Sequence, residues 1–288
     1  MDVKGSVSLF RRAFDDWNKH NVTRFGAALA FYTIVSISPL MILVLAIVSL
    51  VFNKNAAQAQ LLAKVQELLG MQGRETVNTL LVHGHRTSSG IFSATAGVIV
   101  LFLGASGVFQ ELRFGLTNIW ESETKVPSGL MRMLRERVFA FGMVLSLGFV
   151  LMVSLLVSAA LAAISTFFSN LLPISPWILE GVNFLVSFTG IAVLFACILK
   201  FVPAAPVGWR DVRVGAVVTA LLFTVGKWAL GFYLGKASPG SGYGAAGSLV
   251  VLVLWVYYSA QIFYLGAEFT HVHALANRKK FGMVPKAA

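Results

Sequence analysis

Long stretches without Asp, Glu, Lys or Arg restrict the folding of this 288-residue chain more than any other feature. One covers 138–179 (42 residues); others cover 25–53 (29), 87–110 (24), 181–199 (19) and 237–267 (31). A helix of about 20 apolar residues crosses a hydrocarbon core roughly 30 Å thick. A soluble fold has no use for so much uncharged chain. Composition agrees: 57% of the residues are hydrophobic and 12% are charged, where soluble domains carry about 25% charge. No polar stretch is long enough to form a second, soluble domain. The reading is an all-α polytopic membrane protein.

The spacing predicts six transmembrane helices near 25–52, 91–117, 138–168, 178–201, 212–235 and 247–270. Pro173 and Pro176 supply the turn between the third and fourth. The first apolar run is too long for the h-region of a signal peptide, about 7–15 residues, so no cleavable leader is expected. The division is a cytoplasmic amphipathic segment (1–24), a six-helix transmembrane domain (25–270) and a short basic cytoplasmic tail (271–288).

Six crossings put both termini on one side. That side receives 16 of the 23 Lys and Arg residues, the other side 5, and Arg113 and Lys227 fall inside spans. The positive-inside rule then places both termini in the cytoplasm, and the expected location is the bacterial cytoplasmic (inner) membrane. This asymmetry also accounts for the net charge of +11, so no nucleic acid is needed as a partner. Trp17, Trp120, Trp177 and Trp209 fall at predicted helix ends, where an amphipathic ring is stable.

Two segments outside the spans are amphipathic. In 6–20, Val7, Phe10, Phe14 and Trp17 share one helical face, while Arg11, Arg12, Asp15, Asp16 and Lys19 lie elsewhere. The expectation is a helix in the inner interface or packed on the bundle. In 57–82, Leu61, Leu62, Val65, Leu68 and Leu69 form an apolar face. Gly70 and Gly73 interrupt it before Val77, Leu80 and Leu81 resume. A short helical pair is expected there, as an outer loop.

Ionisable residues within spans are costly and usually face protein or water. Lys227 lies in the fifth predicted span, either snorkelling outward along Trp228 and Tyr233 or facing a cavity. Glu111 and Arg113 lie near the inner end of the second span, and Glu268 near that of the sixth; Glu268 is placed to pair with Arg113. These three form a candidate gate or ion pair. The first span holds Tyr32, Ser36, Ser38 and Pro39, and the proline frees a carbonyl that hydroxyls or water must satisfy. Tyr243 lies in the glycine-rich stretch 237–247, an outer loop or re-entrant segment. Tyr32, Ser36, Ser38, Pro39, Lys227 and Tyr243 are therefore the candidate substrate-binding residues. Gly215 and Thr219 have the small-residue spacing of close helix contacts.

Catalytic signatures are missing: there is no Walker motif, no HExxH and no GxSxG elbow. His83/His85 and His271/His273 are spaced pairs without a third ligand nearby and read as solvated interfacial histidines. No metal, cofactor or enzymatic activity is expected. Cys197, the one cysteine, lies in an apolar run and reads as a buried thiol.

Three stretches carry a family resemblance: FGAALAFYTIVSISPL (25–40), GASGVFQELRFGLTNIWE (104–121), and the region from Gly208 to YGAAGSLVVLVLWVYYSAQIFYLGAEF (243–269). In this order they resemble the YihY/BrkB family of bacterial inner-membrane proteins (UPF0761-like), historically labelled ribonuclease BN. The resemblance implies six spans with cytoplasmic termini, and roles in envelope resistance, ion exchange or lipid movement. Matching positions are Tyr32, Ser38, Pro39, Glu111, Asn118, Trp120, Tyr243, Gly244, Gly247, Ser248, Trp255, Tyr257, Gly266 and Glu268; none brings an assigned catalytic role. A nuclease would need clustered carboxylates or histidines for metal ions, and the extramembrane acids are scattered singly. The leading expectation is a transporter or flippase-like carrier of a lipid or other anionic or amphipathic solute. Membrane lipids are its expected partners. A non-transporting envelope-assembly or resistance scaffold is the alternative. Cation/proton antiport ranks below both, for want of a midplane carboxylate. Oligomeric state is not readable.

Overall fold

The computed structural model describes residues 3–48, 54–87, 91–122, 142, 176–205, 207–237 and 247–280. All regular structure among them is helical: α1 (Val3–Lys19), α2 (Val22–Val48), α3 (Lys54–Thr87), α4 (Ile91–Ile119), α5 (Pro176–Phe201), α6 (Trp209–Ala237) and α7 (Gly247–Lys280). The predicted third span (138–168), the loop holding Tyr243 and the tail from 281 lie outside the described residues.

Among the described residues, Trp209–Tyr233 and Leu249–Arg278 are long and apolar enough to cross a membrane; Val22–Ile37 and Ser187–Phe201 are shorter apolar stretches. At about 1.5 Å per residue, the 25 residues of the first exceed a hydrocarbon core. Val214, Val217, Leu221, Val225, Trp228 and Phe232 are all exposed. Their spacing of three and four residues makes one continuous apolar stripe along α6. A stripe of that length has no place in water and is the surface expected against lipid.

The last helix in sequence is the central post. α7 packs against α1, α2, α3, α4 and α6, while α2 packs on α4 and α5 on α6. Small residues allow these approaches. On α6, Gly215 lies against Thr270 of α7, and on α7, Gly266 lies against Thr219 of α6. The Thr219 hydroxyl donates to the Gly215 carbonyl and the Thr270 hydroxyl to that of Gly266, each at 2.7 Å. Each helix thus carries the same glycine-to-threonine step, and the two steps interlock in opposite directions.

α1 forms as its amphipathic pattern predicts and packs on the bundle, the second of the two arrangements expected of it. Ala13 and Leu9 pack with Phe269 and Val272 of α7, and the Phe10 ring lies 4.7 Å from that of Phe269. Val7 and Phe14 remain exposed on another face. In α3 helical hydrogen bonding continues past Gly70 and Gly73, yet the helix doubles back. Gln58 donates to Asn78 at 3.4 Å across 20 residues, which a straight helix would hold about 30 Å apart. The predicted helical pair is therefore present, bent at its glycines, with Leu61, Leu62, Val65, Val77 and Leu81 buried.

α2 runs through Pro39 and stays helical to Val48, because a proline removes one backbone bond from a ladder that the flanking turns maintain. One expectation needs correction. Residues 271–280, read as the start of a solvated tail, continue α7, and Val272 and Ala274 are buried. α1 lies over them and withdraws them from water.

Candidate functional site

At one end of the bundle the α1–α2 turn, the C-terminal end of α4, the α5–α6 connection and the last turns of α7 come together. Two of these junctions use left-handed residues other than glycine. Asn21 (φ 54°) ends α1 and Glu121 (φ 46°) follows α4. Asparagine tolerates this region better than most residues; glutamate does so at a cost of about 1–2 kcal/mol. At the α4 end the amide of Ser122 reaches the Thr117 carbonyl and that of Glu121 the Asn118 carbonyl. This is the Schellman pattern. It turns the Glu121 side chain back toward α1.

The two turns bring three side chains into line. His20 Nδ1 is 2.6 Å from Oε1 of Glu268. His20 Nε2 is 3.6 Å from Oε1 of Glu121, which Lys19 Nζ approaches at 3.5 Å. Glu268 is 0% exposed, and the Glu121 side chain is 59% exposed. One imidazole therefore bridges a carboxylate in the core and a carboxylate in solvent. Asn118 donates its amide to the His20 carbonyl at 3.3 Å and holds the turn in place. Oε2 of Glu268 is buried with no hydrogen-bond partner, as are Nδ1 of His271 and the indole nitrogens of Trp17 and Trp120. His271 lies one turn beyond Glu268 on α7, its ring 5.1 Å from that of Trp120. Unpaired buried polar atoms each cost about 1–3 kcal/mol, and several at one end of a bundle are seldom retained for packing alone.

A smaller polar group adjoins the site. Asn277 donates to Asp211 Oδ1 at 3.2 Å, and His273 Nδ1 lies 3.6 Å from the same oxygen. Asp211 stands in the first turn of α6, where a carboxylate suits the helix dipole. His271 and His273 are both buried, correcting their reading as solvated. Among the described residues no group of three or more His, Cys, Asp or Glu side chains is arranged to hold a metal ion.

The sequence candidates divide. Glu268 does not turn toward Arg113: one oxygen meets His20 and the other has no hydrogen-bond partner. The partner expected in Arg113 is instead His20, which the α1–α2 turn brings to α7. Glu111 enters through its backbone, whose carbonyl accepts from the Tyr264 hydroxyl at 3.3 Å. Tyr32 and Ser36 lie against Gly107 and Gly104 of α4, and the Ser36 hydroxyl donates to the Thr33 carbonyl at 3.1 Å. The side chains of Ser38 and Pro39, and all of Tyr243, fall outside what is described. Lys227 is half-buried. It lies between Phe223 and Leu230 on the α6 stripe that packs toward Trp255 of α7, whereas Trp228 lies in the exposed stripe.

Comparison with known proteins gives this arrangement a family. The family profile described as virulence factor BrkB matches residues 13–288. The chain belongs to the BrkB family. BrkB-family relatives named UPF0761 membrane protein include one from Mannheimia succiniciproducens, 27% identical over 272 residues, covering 92% of this chain and 88% of the relative. Another, from Actinobacillus pleuropneumoniae, is 26% identical over 270 residues and 93% covered. A third, from Ralstonia nicotianae, is 26% identical over 261 residues, and this chain spans only 56% of its length. No solved structure matches. Three of the positions that carried the BrkB resemblance meet at the polar end, where Glu268, Asn118 and Trp120 touch His20 or His271, and a fourth, Gly266, seats Thr219.

Sequence reasoning overlooked His20 and Glu121, and it read His271 as solvated. His20 sits in a polar segment where a solvated side chain is the ordinary expectation. The available signal was Asn21 beside it, a residue suited to a left-handed turn that aims its neighbour inward.

Proposed function

We propose that this chain is a six-span protein of the bacterial inner membrane, with both termini in the cytoplasm, that carries a lipid or other anionic or amphipathic solute. The observation that carries this reading is the position of Lys227. An amine within an apolar helix normally reaches outward. Here its helical position follows Phe223 and precedes Leu230, on the face turned to α7 rather than to lipid. A cation held between helices seeks an anion, and a phosphate headgroup or organic acid supplies one. The polar cluster around Glu268 occupies the opposite end of the same helix pair, where a gate would lie.

The scaffold reading also has an observation in its favour. Tyr32 and Ser36 are engaged by glycines of α4, so two expected cargo contacts serve helix packing. In that case the chain would bind lipids without moving them. In neither reading is it an enzyme.

Reconstitution separates them. Liposomes holding the wild type are expected to move headgroup-labelled phospholipid between leaflets, and Lys227→Ala to slow that movement on the order of tenfold. Lys227→Arg should retain most of it. Equal rates for wild type and Lys227→Ala would remove the carrier reading.

A further inference from the structure

We propose that Glu121, His20 and Glu268 form a proton relay that loads a buried carboxylate from the exposed end of the bundle. Resting on the carrier reading for its purpose alone, the inference also names the coupled ion as the proton.

The geometry carries the argument. Imidazole is the side chain able to accept a proton on one nitrogen while releasing another, and both nitrogens of His20 face carboxylate oxygens, at 3.6 Å and 2.6 Å. The outer carboxylate is open to water and the inner one is closed off. A proton arriving on Glu121 passes to Nε2, forming an N–H bond there as the Nδ1–H bond breaks. The Nδ1 proton passes to Oε1 of Glu268. Glu121 ends as carboxylate, His20 as the other neutral tautomer and Glu268 as a neutral acid. Loss of the proton from Glu268 by the reverse path restores the start.

The same contacts argue against a metal cation. Sodium or calcium requires several oxygen ligands. Oε1 of Glu268 meets an imidazole nitrogen, and among the described residues no group of three or more His, Cys, Asp or Glu side chains is arranged to hold a metal ion. A carboxylate paired with one imidazole suits a proton that comes and goes. The remaining charged and titratable neighbours are Arg12 and Asp16 of α1, paired with each other at 3.9 Å. Lys19 competes for Glu121, and His271 shares the face of α7. The two carboxylates of Asp16 and Glu121 act on Glu268 across space, and His20 opposes them.

Infrared difference spectroscopy of the purified full chain in nanodiscs, following a pH jump, tests the relay. Acidification should raise a carboxylic-acid carbonyl band that Glu268→Gln lacks. His20→Gln retains a hydrogen-bonding side chain and cannot relay, so the band should appear on the order of tenfold more slowly. Glu121→Gln should slow it similarly. A wild type without the band, a band that persists in Glu268→Gln, or wild-type kinetics in His20→Gln would each overturn the relay. Should Glu268→Gln fail to fold, the kinetics of His20→Gln and Glu121→Gln decide. Lipid movement in liposomes is scored separately. A band with no lipid movement upholds the relay and sinks the carrier, and movement without the band does the reverse.

Discussion

Nδ1 of His20 and Oε1 of Glu268 meet at 2.6 Å across 248 residues of chain, tying the turn after the first helix to the middle of the last. A double-mutant cycle with His20→Ala and Glu268→Gln, read by thermal unfolding in detergent, is expected to give a coupling of roughly 1–3 kcal/mol. Lys19→Ala, which breaks only the exposed approach to Glu121, should change stability by less than about 1 kcal/mol. Additive effects of His20 and Glu268 would mean that the contact holds nothing together.

The interlocked glycines give a sharper contrast. A Cβ added at Gly266 would collide with the Thr219 hydroxyl, whereas one added at Gly231 would meet nothing within 4 Å. Gly266→Ala should destabilise by about 1–3 kcal/mol through overpacking. Gly231→Ala should stabilise by roughly 0.5–1 kcal/mol, since alanine suits a helix interior better. The order of the two melting temperatures checks this, and the reverse order would place α6 and α7 differently.

The fold of α3 is testable without a stability measurement. With Cys197 replaced by serine, Gln58→Cys and Asn78→Cys should join through a short thiol-reactive linker within one chain. Gln58→Cys paired with Arg86→Cys should not. Failure of the first pair would straighten α3.

Much of this was legible in the sequence, and the boundary falls at identifiable residues. Local spacing revealed α1 and the helical pair of α3, and the spacing of charge revealed α6 as a long apolar helix, because these follow from neighbouring residues alone. It missed the reach of α7 beyond 270. The run from His271 looks polar, and packing against α1 is what makes Val272 interior. The partner of Glu268 was missed for the same reason. Charge suggested Arg113, while the choice of His20 depends on how a left-handed asparagine aims a turn, a matter of three dimensions.

Trp228 offers an optical test of the membrane surface. At 74% exposed, its indole should be quenched by brominated acyl chains far more than that of the half-buried Trp120. The difference spectrum between wild type and Trp228→Phe isolates it. Quenching by a water-soluble quencher instead would place this face of α6 in solvent.

The central position of α7 has a consequence for biosynthesis. The ribosome delivers α7 after α1 to α6, so α1, α2, α3, α4 and α6 are all made before the helix they share as a neighbour exists. Until Glu268 emerges, His20 has nothing to clasp and the apolar flank of Ala13 stays bare. A nascent chain halted short of that point lacks the helix its neighbours gather around, a natural target for the membrane proteases that remove orphaned segments.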